Sequence, residues 1–199
     1  MDERTCKGMG SSESDEWFTP KQEFLPWHRK YNFETDPATA PHNPLGCPVF
    51  FTKETNGLDW RKWQGNVWIN PPYHGVGTVE KWIRAAIEYH RQTRNVVVML
   101  LAARVETKRF HEYFWDKDRN PPGPRPGIAV HFIDHRVTFE DAQGKPGDSA
   151  FFPSMVVVIE DHGGVGVGAG AGLNNNTQKN NKKNENEPAR QKTLEDFSA

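Results

Sequence analysis

Residues Val96 to Ala102 form an unbroken apolar run, Val-Val-Val-Met-Leu-Leu-Ala. A strand with one face in water alternates apolar and polar positions. A run without a polar side chain fits a strand covered on both faces, as in the middle of a mostly parallel sheet between layers of helix. That requirement restricts the chain to layered α/β arrangements. Flanking segments supply the layers. Thr19 and Pro20 form a helix-start signal, Thr as cap and Pro in the first turn, leading into a helix over 21–31 that Pro26 is expected to kink or shorten. Short apolar runs at 49–52 and 67–70 read as buried strands, and Trp82, Ile83, Ala86 and Ile87, with Tyr89 or His90, repeat at helical spacing across 78–92. A further helix is expected at about 106–116, a Pro-rich loop at 120–127, and strands at 128–133, 137–139 and 155–159. Strands alternating with helices and closing in a strand pair give a three-layer α/β fold whose mostly parallel sheet ends antiparallel.

The ends of the chain read differently. Residues 1–15 are small, polar and charged and offer too little apolar surface to offset the entropy of ordering, so a disordered lead-in is expected. Gly163 to Gly172 is a run of Gly, Ala and Val, and an Asn/Lys/Glu-rich tract follows from Asn174 to Glu187. The folded domain is therefore expected at 16–161, with a flexible linker and tail at 162–190 and a distinct short peptide at 191–199. With 199 residues there is material for one sizeable core. Cys6 and Cys47 lack the pairing of a disulfide framework or zinc site, and no run approaches the roughly 18 to 20 apolar residues of a membrane span. The expectation is a soluble intracellular protein with no metal and no membrane contact. A formal net charge of −1 means that any nucleic-acid surface is local.

The tetrapeptide Asn70-Pro71-Pro72-Tyr73 directly follows an expected strand. It therefore projects from the carboxyl end of the sheet, where open α/β folds place their ligand crevice. An aromatic exocyclic amine is a poor nucleophile because its lone pair is delocalised into the ring. Two carbonyl acceptors, the Asn70 side chain and the Pro71 backbone, would each take one amino hydrogen and draw that pair toward a tetrahedral geometry. The prolines would fix the turn, and Tyr73 would stack on the base. On these residues alone, a packed turn or a ligand for a proline-recognition module stays open.

Taken together, Trp17-Phe18-Thr19-Pro20, Asn32 to Ala40, Phe50 to Glu54, Gly57-Leu58, Trp63 to Trp68, Asn70 to Tyr73, Leu101 to Arg104 and Arg136 to Phe139 resemble the phage-type DNA N6-adenine methyltransferase family. The resemblance runs from about Glu16 to Glu160 and implies a Rossmann-like fold dependent on S-adenosylmethionine, acting on double-stranded DNA inside a host cell and encoded by a virus or integrated provirus. It implies Thr19 and Pro20 beside the methionine end of the cofactor, and Asp36, after the first strand, on its amino group. Ala38 stands in the adjoining turn, Glu54 would take the ribose hydroxyls, and Leu58 would lie by the cofactor's adenine. The sequence departs from most methyltransferases in having Asp36-Pro37-Ala38-Thr39-Ala40 where a glycine-rich turn is usual. An ordinary Asp-Pro turn remains the alternative reading of Asp36.

Phosphate contacts are expected from Arg104, Lys108, Arg109, Arg125 and Arg136, interleaved with aromatic residues, although nearby acids leave only a small positive excess. A solvated helix and loop is the plain alternative. Gln191, Leu194 and Phe197 resemble the short peptide that docks replication sliding clamps, with Ser198 where a second aromatic is usual. The same amine chemistry also serves cytosine N4, RNA and a protein glutamine, and a catalytically inactive nucleic-acid-binding module is a further alternative.

Overall fold

In the computed structural model the central apolar run is the fourth strand of a six-stranded sheet. The described residues are 17–161, apart from His74, Val76 and Ala142. They belong to one compact unit, Met1–Gly164. The expected disordered lead-in, the linker and tail, and the peptide carrying Gln191, Leu194 and Phe197 lie outside the described residues.

In chain order come α1 (Lys21–Tyr31), β1 (Phe33–Asp36), β2 (Val49–Phe50), β3 (Asn66–Ile69), α2 (Thr78–Thr93), β4 (Val97–Ala102), α3 (Lys108–Tyr113), β5 (Trp115–Asp116), β6 (Gly123–Pro124), β7 (Ile128–Phe132), β8 (Thr138–Glu140), β9 (Pro146–Ser149) and β10 (Ser154–Ile159). The large sheet has the order β2-β1-β3-β4-β10-β7. β2, β1, β3 and β4 run parallel, β10 pairs antiparallel with β4, and β7 pairs antiparallel with β10. The fold is thus α/β with a mixed sheet. The antiparallel strand is last in the chain, as expected, but lies between β4 and β7 and does not form the edge.

Side-chain alternation divides the strands between two cores. Val67 and Ile69, Val97, Met99 and Leu101, and Met155, Val157 and Ile159 pack with α2 and α3 on one face. Trp68, Val98, Leu100, Val156 and Val158 pack with Phe24 and Tyr31 of α1 on the other. The three layers expected from the apolar run are present, and β4 is buried from both sides. Each fully buried aliphatic side chain contributes roughly 1.5–3 kcal/mol of transfer free energy.

Several local readings are corrected. Thr19 does not cap α1: the residue before the helix is Pro20, and the Thr19 hydroxyl accepts from Trp68 Nε1 at 3.4 Å. Pro26 does not shorten α1, which runs on to a left-handed Asn32. The helix expected at 106–116 stops at Tyr113, because Trp115 and Asp116 pair with Gly123 and Pro124 as a small hairpin. The strand expected at 137–139 joins no large sheet. It pairs with β9, and Glu140 exchanges backbone hydrogen bonds with Phe18.

Candidate active site

β1 lies between β2 and β3, so the chain leaves β1 to one side and returns on the other. This reversal makes the carboxyl ends of the parallel strands beside β1 a topological switch point, the place where open α/β sheets hold ligands. Asp36 ends β1, Asn70 follows β3, and Ala103-Arg104 follows β4. Because β10 is antiparallel to β4, its first residue, Ser154, stands opposite Ala102 at the same edge.

Asn70 is 7% exposed, and its Nδ2 donates to the Trp17 backbone carbonyl at 2.7 Å. Only the amide nitrogen can satisfy a carbonyl, so this bond fixes which way the side chain faces. Asn70 Oδ1 is left buried without a hydrogen-bond partner. Such an atom is costly to leave unmet, and buried acceptors in this condition are few in folded proteins. Pro71 is buried and Pro72 exposed. Tyr73 is half-buried, its hydroxyl donating to the Leu100 carbonyl at 3.1 Å. Its ring lies 5.7 Å from that of Phe152, which in turn stacks on Trp17 at 5.9 Å and 14°. Burial raises the Tyr73 phenol well above its usual range and keeps it the donor in that bond.

Asp36 is 3% exposed. Burial pushes its carboxyl up to about 7, against the Ala38 N–H and the Thr39 hydroxyl, which favour the ionised form. The Ala38 amide donates to Asp36 Oδ1 at 3.2 Å, so the Asp-Pro turn of the plainer reading is present. That turn leaves the desolvated carboxylate short of a positive charge, a setting that suits an ammonium group. The Cys47 thiol is pushed up to about 12 by its own burial and by the Asp36 charge, which places the two groups close together.

Thr19 and Pro20 are buried just before α1. Leu58 is half-buried against the α2 core, while Glu54 is exposed and accepts from Thr52 Oγ1 at 2.6 Å. The turn joining them closes through Gly57: a Cβ there would stand 1.8 Å from the Pro37 carbonyl oxygen and 2.8 Å from Phe51 Cβ. The Gly57 carbonyl also accepts from Trp63 Nε1 at 2.7 Å. Asp36, Ala38 and Leu58 are thereby brought to one end of the sheet, with Glu54 on its rim.

The basic residues divide. Arg104, Lys108 and Arg136 are exposed, and Arg136 Nη1 donates to the Phe151 carbonyl at 3.2 Å. Arg109 is half-buried beside Tyr73, in the wall of a cavity of about 20 Å³, too small for a base. Arg125 turns inward and places Nε and Nη2 on the His111 carbonyl at 3.3 and 2.9 Å, tying its loop to α3. Sequence reasoning assigned no part to Trp17, Phe152 or Ser154. Trp17 stood in a motif, but its contribution is a backbone carbonyl, which no side-chain pattern reveals.

A family model described as DNA N-6-adenine-methyltransferase (Dam) matches residues 8–184. The chain belongs to this family. A curated Dam-type relative, the DNA N-6-adenine-methyltransferase of Escherichia phage T1, is 31% identical over 115 residues, 55% of this chain and 45% of the relative. The chain thus matches less than half the length of that relative. No solved structure matches. The Dam match ends before Gln191, so the clamp-like peptide is outside it. Among the described residues no group of three or more His, Cys, Asp or Glu is placed to hold a metal, and no helix is long and apolar enough to cross a membrane.

Proposed function

We propose that the protein transfers a methyl group from S-adenosylmethionine to the N6 amino group of adenine in DNA, on a Rossmann-like methyltransferase fold. The observation that carries this reading is the unpartnered Oδ1 of Asn70, held by the Trp17 carbonyl at the carboxyl edge of the sheet in a Dam-family chain. When bound, the cofactor supplies an electrophilic methyl on sulfonium. Everything else falls to the protein. Asp36, buried and short of a counter-charge, would take the cofactor's ammonium, with Thr19, Pro20 and Ala38 around it. Glu54 would accept from the ribose hydroxyls, and Leu58 would pack on the adenine ring of the cofactor.

Asn70 Oδ1 and the Pro71 carbonyl would each accept one N6 hydrogen of the extruded target base. Localising the nitrogen lone pair in this way raises its nucleophilicity without a titrating base. Tyr73, fixed through its hydroxyl, would present its ring to the base. Arg104, Lys108, Arg109 and Arg136 would meet phosphates around the crevice, and Arg125 would hold the loop that frames it.

The reading is tested by incubating the protein with radiolabelled S-adenosylmethionine and unmethylated duplex DNA, then identifying the labelled nucleoside by mass spectrometry. Label in N6-methyladenine is expected. Label in N4-methylcytosine, RNA or protein would transfer the chemistry to another amine, and failure to bind cofactor would leave a nucleic-acid-binding module. For Gln191, Leu194 and Phe197 the proposal is docking to a replication sliding clamp inside the host cell. A chain ending at Arg190 should lose clamp capture and keep methyl transfer; capture by neither chain would dismiss that role.

A further inference from the structure

Ser154 is 1% exposed and its Oγ has no hydrogen-bond partner. A serine hydroxyl in a sheet ordinarily finds a carbonyl or water, so a buried one without a partner calls for an explanation. Its position relative to Asn70 follows from alternation. Along β10, Val156 and Val158 point into the α1-side core, and Ser154 continues their series. Along β3, Trp68 points into that same core, and Asn70 is the next residue of its series. Two buried and unpartnered polar atoms, an acceptor and a donor, therefore stand on one face at one edge of the sheet.

Between them runs β4. On this face it offers Val98, Leu100 and then Ala102, and Ala102 lies directly opposite Ser154. Asn70, level with Leu100, and Ser154, opposite Ala102, are on the strands to either side of β4, so two strand spacings across and two residues along separate them, about 12 Å. Both side chains rise from one face, so this span less two hydrogen bonds of about 2.9 Å leaves about 6 Å, on the order of a heteroaromatic ring. The small, half-buried Ala102 side chain adjoins Ser154 on this face, and aromatic rings flank the pair. Trp17, whose carbonyl holds Asn70, stacks on Phe152, two residues before Ser154, and Phe152 reaches Tyr73.

We propose that Ser154 is the second hydrogen-bonding contact of the target base: its hydroxyl donates to a ring nitrogen of the extruded adenine while Asn70 Oδ1 accepts from N6. This rests on the methyltransferase reading above and adds a specificity-determining residue to it. A donor aimed at N1 favours adenine, whose N1 accepts, over guanine, whose N1 carries hydrogen, whereas N3 and N7 accept in both purines and leave that choice to the N6 contact of Asn70. Sites that hydrogen-bond a base discriminate strongly because a mismatched base leaves buried polar groups unpaired.

The test compares the wild type with Ser154→Ala on duplexes carrying the site mapped with the wild-type protein. The target position holds adenine or its 1-deaza, 3-deaza or 7-deaza analogue. One analogue should slow the wild type about tenfold in kcat/KM, Ser154→Ala should slow adenine by a similar factor, and the two changes together should cost no more than either alone. Equal fold losses on all four bases, or no analogue that slows the wild type, would overturn the proposal. Because Oγ has no partner, Ser154→Ala should melt no lower than the wild type. A clear fall in Tm would show that the hydroxyl serves the fold, and would overturn it too. If the wild type leaves no methyl on adenine at all, the failure belongs to the methyltransferase reading and not to Ser154.

Discussion

Asn70 and Asp36 are both buried polar side chains left short of a partner, yet they predict different experiments. Asn70 lacks only a hydrogen donor at Oδ1, because its Nδ2 is already held by Trp17. Asn70→Ala should therefore leave cofactor affinity within a factor of two and lower kcat by about 10²–10³, the usual effect of deleting one preorganised polar contact to a reacting group. Full activity in that variant would end the proposed chemistry. Asp36 lacks a charge. Its carboxyl stands at about 7 in the folded protein against the ordinary 3.8 of an aspartate, so the folded state keeps a proton that the unfolded chain releases. Stability without ligand is fullest below about pH 4 and declines as pH rises toward 7. A bound cation reverses that trend by favouring the carboxylate. Cofactor affinity measured calorimetrically should accordingly weaken by up to about tenfold per pH unit below 7 and level off above it. Asp36→Asn should bind weakly and without that pH dependence; an unchanged pH profile in the variant would show that another group governs binding. The tetrapeptide and Asp36 were readable in the sequence because their residue types carry chemistry. Trp17 and Ser154 were not, since one holds Asn70 through its backbone carbonyl and the other stands out only by lacking a partner.

At the level of elements, readability followed burial. β4 and α2 were anticipated closely because their apolar patterns are long and periodic, one continuous and one repeating at helical spacing. β1 is short and mixed, Phe33-Glu34-Thr35-Asp36, with no pattern to announce it apart from the family resemblance. The segment 137–139 has the residues of a strand, but nothing in them shows its partner: β8 is satisfied locally by β9 and by Phe18 and stays out of the large sheet. Turn geometry was the least visible. Gly57 reads as an ordinary loop glycine, although its missing side chain lets the turn after β2 close against the Pro37 carbonyl. Gly57→Ala forces that contact apart. It should lower stability by about 1–3 kcal/mol, as overpacking does, and weaken cofactor binding as well, because Asp36 and Leu58 lie on the two sides of the contact. A variant with unaltered melting and affinity would mean that the turn and the crevice are independent.

Across the whole molecule, a net charge of −1 provides no general attraction to DNA, so the proposed recognition would rest on a few cations placed at the end of the sheet that carries Asn70. Those cations are not equivalent in the fold. Arg104 and Arg136 are exposed at the end of the sheet that carries Asn70, whereas the Arg125 guanidinium is committed to the His111 carbonyl through two nitrogens. Each phosphate contact adds about 0.9 to the slope of log affinity against log salt, so binding measured over a salt series separates the two kinds of residue. Arg104→Ala should flatten that slope by about one while melting like the wild type, and Arg136→Ala should flatten it equally while losing only its single exposed bond to the Phe151 carbonyl. Arg125→Ala should leave the slope nearly unchanged and melt several degrees lower, through loss of hydrogen bonds worth about 1 kcal/mol apiece between its loop and α3. A flattened slope in Arg125→Ala with no change in melting would reassign Arg125 from holding the frame of the crevice to gripping DNA directly.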